Sequence, residues 1–182
     1  KYRASVEPGR AVAGVEGKGG TIIRDRAVVT GPNSVRLVKA DREVTAEHIL
    51  VATGGHPHVP DIAGKELAIT SNEAFDLKAL PHSILIDGGG YVALEFATVF
   101  AGLGVPTTVV YRGDKILRGF DEDVRTGLEA GLQERGVKFI YATTIRSLEK
   151  RGSDILVKFS DEVEAPFGTV MFATGRRANT HG

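Results

Sequence analysis

Six residues in the middle of the chain, Gly88-Gly89-Gly90-Tyr91-Val92-Ala93, have the types and spacing to hold an anion against bare backbone. They fit the pattern G-x-G-x-x-G/A. Glycine leaves out the Cβ that would keep a pyrophosphate away from backbone N–H groups, the positive end of a following helix balances its charge, and Ala93 lets that helix pack closely on the preceding strand. About 20 residues on, an acid would accept a hydrogen bond from a ribose 2′-hydroxyl. The sequence there is Tyr111-Arg112-Gly113-Asp114-Lys115-Ile116-Leu117-Arg118, with no acid at the point where a strand would end. The planar forks of Arg112 and Arg118 fit a 2′-phosphate instead, which points to NADP rather than NAD; Lys115 adds only diffuse charge. The bland alternatives are a glycine-rich turn of any α/β domain and a solvated basic loop. Tyr91 and Glu95, four apart, share a helix face on which an aromatic could cover a nicotinamide pocket and a carboxylate could accept from its carboxamide.

The elements around these residues decide between the readings. Ile84-Leu85-Ile86 predicts a short strand, Val92, Phe96, Val99 and Leu103 an amphipathic helix, and Thr107–Tyr111 a second strand. Asp121-Glu122-Asp123 suit a helix N-terminus, Val124, Leu128 and Leu132 carry its apolar stripe to a stop at Gly136, and Val137–Tyr141 is a third strand. Strands alternating with helices pair in parallel. The expected fold is therefore α/β: a Rossmann-like dinucleotide-binding domain with a parallel sheet flanked by helices, plus an antiparallel β-meander.

Upstream, the Gly-rich stretch from Lys1 to Gly20 reads as a loop. Arg26–Val29, Ser34–Val38 and His48–Ala52 read as a meander, and Asp61–Gly64 as a linker. Ile49-Leu50-Val51-Ala52-Thr53-Gly54-Gly55 is echoed by Val170-Met171-Phe172-Ala173-Thr174-Gly175-Arg176, each copy after a short meander, with Ile155–Phe159 before the second. The second copy closes a domain whose Gly-rich opening is at Gly88. The first closes one whose opening is not in the sequence, so the expectation is a remnant of a second FAD/NAD(P)-binding domain, in a fragment or reduced relative of something larger. The expected division is 1–62 for the trailing part of that domain, 63–170 for the NADP-binding domain and 171–182 for a return segment.

Composition narrows the rest. Lys plus Arg and Asp plus Glu both number 23, which provides no basic excess for nucleic acid or an anionic membrane; 42 % hydrophobic and 25 % charged residues are those of an ordinary globular domain. No apolar run is long enough for a membrane helix and no signal core follows Lys1, so the chain reads as soluble and cytoplasmic. Cys is absent, which removes disulfides and thiolate chemistry from these residues. His56-Pro57-His58 lacks companion ligands for a metal, so no metal is expected. Ser71, Ser83 and Ser153 sit in no nucleophile setting, and Glu43, Glu47 and Asp161–Glu164 read as solvated loops.

Ile69–Phe75, Gly88–Ala97, Tyr111–Asp121 and Phe172–Thr180 together resemble the pyridine-nucleotide:disulfide oxidoreductases, and within them the pattern is similar to the glutathione reductases. The resemblance runs from about Arg26 to Gly182. It implies a homodimeric flavoprotein in which NADPH reduces FAD, FAD a Cys pair, and the Cys pair glutathione disulfide. By this resemblance Tyr91 is the gate over the nicotinamide, Glu95 neighbours the carboxamide, and Arg112 and Arg118 hold the 2′-phosphate. The echoed segments, Thr53 and Gly54 in one and Ala173, Thr174, Gly175 and Arg176 in the other, lie where the chain approaches the cofactors. The family's FAD fingerprint, redox cysteines, dimerisation domain and catalytic His–Glu pair are not in the sequence, so no catalytic residue is expected here. Gly113 stands where some relatives carry another base, Ala178 replaces a usual proline, and Asp87 puts an acid directly before the phosphate-binding glycines. The alternatives are a non-catalytic or truncated dinucleotide-binding module, with Asp87 marking relaxed function, and a related reductase acting on another substrate, as mercuric and trypanothione reductases do.

Overall fold

A computed structural model describes residues 8–180; the part of the expected leading loop at 1–7 and the last two residues of the return segment lie outside them. The chain forms two compact units, Lys1–Ala52 with Thr180–Gly182, and Thr53–Asn179.

In the first unit, helix α1 (Pro8–Glu16) stands where a Gly-rich loop is expected. The glycines act at its end: Gly17 N–H donates to the Ala13 carbonyl and Gly20 N–H to that of Val15, with Gly19 at φ +82°, a left-handed stop. Strands β1 (Ala27–Gly31), β2 (Ser34–Leu37) and β3 (Arg42–Thr45) form an antiparallel meander in that order. The third strand is thus the polar Arg42–Thr45 and not His48–Ala52. Residues 48–52 pair with no strand among the described residues, and Leu50 is 90 % exposed. An apolar run becomes a strand only where neighbours take up its backbone groups and side chains. Its echo at 170–172 has such neighbours.

The second unit starts with β4 (Gly55–Pro57), a single 3₁₀ turn (Lys65–Leu67) and the short α2 (Ser71–Ala74), which Thr70 and Glu73 close as a capping box. There follow β5 (Ile84–Asp87), α3 (Tyr91–Gly102), β6 (Thr107–Val110), α4 (Glu122–Glu134), β7 (Lys138–Ile140), β8 (Ile145–Arg151), β9 (Asp154–Phe159), β10 (Glu164–Phe167), β11 (Thr169–Phe172) and β12 (Arg176–Ala178). Strands β11, β5, β6 and β7 form a parallel sheet in that order, with α3 and α4 as crossovers, as the strand and helix alternation requires. A second, antiparallel sheet runs β10-β9-β8, and β12 returns to pair with β4.

Strand alternation supplies two faces. Ile84, Ile86, Val109 and Met171 meet Ala93, Leu94, Ala97 and Phe100 of α3 and Leu132 of α4, while Leu85, Val110, Val170 and Phe172 meet Ile145, Leu148, Val157 and Phe159 of the antiparallel sheet. The layers are helices, parallel sheet, antiparallel sheet. The α3 stripe is therefore only half the expected one: Val92 and Phe96 pack against this core, but small Ala93 and Ala97, one turn apart, let the helix approach β5, and Val99 and Leu103 are left exposed. Likewise only Leu132 of the expected α4 stripe is buried, while Val124 and Leu128 are exposed.

The expected linker Asp61–Gly64 is held against β8, where Leu148 N–H donates to the Ala63 carbonyl. Gly64 has φ +78°, and a Cβ there would lie 1.9 Å from the Leu148 carbonyl oxygen. Gly64→Ala is expected to cost about 2–3 kcal/mol, read as a lower urea midpoint at unchanged slope.

Candidate functional site

At the carboxyl ends of β5, β6 and β11, where the strand order reverses, lies a cleft of about 710 Å³. Its floor is the turn Gly88–Gly90. Gly88 has φ +147°, and a Cβ on it would sit 2.4 Å from the Ala173 carbonyl oxygen and 3.3 Å from Ala93 Cβ, so strand, turn and helix close on one another only around glycine. Gly90 is the N-cap of α3 and offers no side chain to its first N–H groups, and a Cβ there would meet nothing within 4 Å. Those N–H groups have no helical partner, and Gly90, Tyr91 and Val92 line the cleft, which is the arrangement that accepts a phosphate. Tyr91, 62 % exposed, and Val92 complete this edge of the cleft.

The opposite edge carries Tyr111, Arg112 and Arg118. Neither arginine makes a hydrogen bond or salt bridge among the described residues; Arg112 acts only at longer range on Asp87. Their loop is pinned from beneath. Arg125 of α4, whose side chain is 17 % exposed, donates to the carbonyls of Ile116 at 2.7 Å and Lys115 at 3.1 Å, and Leu117 N–H donates to the Gly89 carbonyl at 2.7 Å. The Lys115 ammonium is turned away onto Glu122 and the Thr126 hydroxyl, and with Arg125 it holds the Glu122 carboxyl below its ordinary range. Nothing in the sequence marks Arg125, because its role depends on α4 lying under the loop.

Asp87 lines the cleft at 9 % exposure, and burial pushes its carboxyl up to about 7 against the opposing pull of Arg112. At that pH about half of it is neutral and below it most is, which relieves the repulsion its position suggests as pH falls.

Of the other expected contacts, Ala173, Thr174, Gly175 and Arg176 line the cleft. Thr174 donates to the His58 carbonyl and His58 N–H to that of Gly175, while the Arg176 guanidinium is committed to the Gly55 carbonyl. Ala93 lies buried beneath the turn. Thr53 and Gly54 do not reach the cleft: the Thr53 hydroxyl donates to the Asn179 carbonyl at 2.6 Å, and Asn179 N–H to the Gly54 carbonyl. Glu95 faces a different, apolar groove of about 410 Å³, lined also by Phe75, Leu80, Val99 and Leu103. Thr144 and Ile145 join the cleft without any motif to announce them, His58 joins it as lining and not as a metal ligand, and Ser71 comes from the Ile69–Phe75 segment; only the topology brings loops after three strands and the β4 segment together. The described residues contain no group of three or more His, Cys, Asp or Glu placed to hold a metal, and no helix long and apolar enough to cross a membrane.

Comparison with known proteins agrees with this geometry. Residues 7–182 match the sequence profile described as pyridine nucleotide-disulphide oxidoreductase. A glutathione reductase from Nostoc sp. is 40% identical over 172 residues, 93% of this chain, and a thioredoxin reductase from Plasmodium falciparum is 40% identical over 144 residues, 78% of it. The chain spans only 36% and 26% of those two relatives. Among solved structures, LpdA from Mycobacterium tuberculosis superposes with a TM-score of 0.81 at 28% identity over 96% of this chain and 40% of its own. The HOCl-induced flavoprotein disulfide reductase RclA from Escherichia coli shares the fold, with a TM-score of 0.82 at 24% identity over 95% of this chain and 40% of its own. A parallel sheet with a bare-backbone turn at its switch point, matched over almost its whole length by that profile, makes this chain a member of the pyridine nucleotide-disulphide oxidoreductase family.

Proposed function

We propose that this chain is the NADPH-binding portion of a flavin-dependent disulfide reductase of the glutathione reductase type, with glutathione disulfide as substrate of the whole protein. One observation carries the reading. Two guanidinium groups, Arg112 and Arg118, stand without hydrogen-bond or salt-bridge partners among the described residues, on the edge of a cleft whose floor is a glycine turn at a helix N-terminus. The turn and the free N–H groups of α3 hold the pyrophosphate, and the arginines take the 2′-phosphate. Tyr91, at the first position of α3, covers the nicotinamide end. Ala173, Thr174 and Gly175, which follow β11 beside the glycine turn, form a further wall of the cleft. When bound, the nicotinamide supplies a hydride to the flavin, and the electrons pass to a Cys pair; this chain has no Cys and contributes binding and orientation to that sequence. In this reading 1–62 belongs to the FAD domain, 63–170 is the NADP domain and 171–182 returns toward the FAD domain, in a cytoplasmic homodimer.

Titration of the chain with NADPH and NADH, followed by quenching of tyrosine fluorescence or by calorimetry, tests the proposal. NADPH is expected to bind at least ~100-fold more tightly, the preference two charge-assisted contacts would produce. Equal affinities would remove it. Asp87 favours a second reading, a non-catalytic or truncated relative whose dinucleotide site has relaxed, and no measurable affinity for either dinucleotide, regained in Asp87→Gly, is the result that would support it.

A further inference from the structure

We propose that Tyr111 is a specificity-determining positioning residue: its ring, wedged between Gly89 and Gly113, sets the Arg112–Arg118 loop against the glycine turn and so confers selectivity for a 2′-phosphorylated adenosine. The proposal rests on the NADPH reading above and adds to it the residue that makes the two arginines effective.

Tyr111 directly follows β6, and its backbone is fixed there, with its N–H on the Ile140 carbonyl at 2.9 Å. The ring then lies against two glycines. A Cβ on Gly89 would come within 2.6 Å of the ring Cγ and 2.7 Å of both Cδ atoms, and a Cβ on Gly113 within 2.5 Å of Cε1. Contact at Cγ is at the root of the ring, so flipping the ring does not relieve it. Neither glycine has a positive φ, in contrast to Gly88, so the backbone does not require glycine at these two positions. The ring does. The turn and the basic loop are also joined by the Leu117–Gly89 hydrogen bond, so the wedge and the bond together define one spacing between the pyrophosphate floor and the arginines. Any side chain at 113, a further base included, has to displace the ring, which leaves Arg112 and Arg118 as the cations of this edge.

The test is the NADPH-to-NADH affinity ratio of the chain and of Tyr111→Phe, Tyr111→Ala, Gly113→Ala and the double variant Tyr111→Ala/Gly113→Ala, with circular dichroism to establish folding. Tyr111→Phe keeps the ring and is expected to keep the ratio. Tyr111→Ala and Gly113→Ala are each expected to lower it about 10-fold, through NADPH alone, and adding Gly113→Ala to Tyr111→Ala is expected to change nothing further, because the clash has gone. A purely structural role would lower both affinities together and leave the ratio in place, and that result overturns the proposal. If Tyr111→Ala does not fold, Gly113→Ala decides alone: a lowered ratio supports the wedge, an unchanged one overturns it. Wild-type chain without any preference would instead end the NADPH reading, a separate outcome.

Discussion

Replacing both Arg112 and Arg118 by Ala is expected to weaken NADPH binding by roughly two orders of magnitude and to leave NADH binding within about threefold of wild type. Each charge-assisted contact to a phosphate contributes about 1.5–3 kcal/mol, and two give a range from ~10² to above 10⁴. Both side chains are exposed at the edge of the cleft, where water and salt screen them, which selects the lower end. The preference of the wild type should also shrink as salt is added. Removal of the arginines costs the fold little, because neither is engaged in a hydrogen bond or salt bridge among the described residues and the loop is held by Arg125 and Leu117. An equal fall in NADPH and NADH affinity would show that the arginines serve the pyrophosphate or the loop, and the 2′-phosphate assignment would then be lost.

Asp87→Asn is expected to have the largest effect on stability, and one that depends on pH. Folding raises the carboxyl from 3.8 to about 7, because burial disfavours the charge more than Arg112 supports it. Between those values the folded protein holds a proton that the unfolded chain has released. The contribution of this carboxyl to stability is therefore greatest below about pH 4, falls as pH rises toward 7 and then levels off, with a total loss on the order of 4 kcal/mol, and the difference between wild type and variant isolates it from the other carboxylates. The asparagine variant lacks this loss, so its urea midpoint should exceed that of wild type at pH 8 and converge with it at pH 4. Binding should follow the same carboxyl. NADH is the better probe, since it lacks the 2′-phosphate, which itself titrates near 6. Its affinity for wild type should fall as pH passes 7, when an anion appears beside the pyrophosphate floor, and should stay flat in Asp87→Asn. Parallel stability curves for the two proteins from pH 4 to 8 would mean that Asp87 is ionised throughout.

The local pattern of the second unit was legible in the sequence, since the strands β5 to β7 and helices α3 and α4 depend on short-range periodicity and on glycine and acid signals at their ends. So were the glycine turn and the arginine pair, because G-x-G-x-x-A and a basic strand end are chemistry written in consecutive residues. What escaped was whatever depends on a partner far along the chain. The apolar 48–52 looks like 170–172, yet only the latter lies beside β5, and a strand exists only when its backbone groups are taken up by another. Half of the α3 stripe was misplaced: Val92 and Phe96 do reach the core, but close approach to β5 selects Ala93 and Ala97 in place of Val99 and Leu103, a steric fact invisible to a count of large apolar residues.

The site divides along the same line. Residue type and spacing by themselves determined that this chain carries a glycine turn at the head of a helix and two arginines shortly after the next strand. Tertiary structure alone decided that Glu95 faces a different groove from Tyr91, that Thr53 and Gly54 tie down the returning chain, that Arg125 supports the basic loop, and that Asp87 is buried enough to hold its proton near neutral pH. The reason is physical: a backbone conformation or a charge is a property of one residue, whereas burial, a shifted pKa and a wedge between two glycines exist only once distant segments have packed.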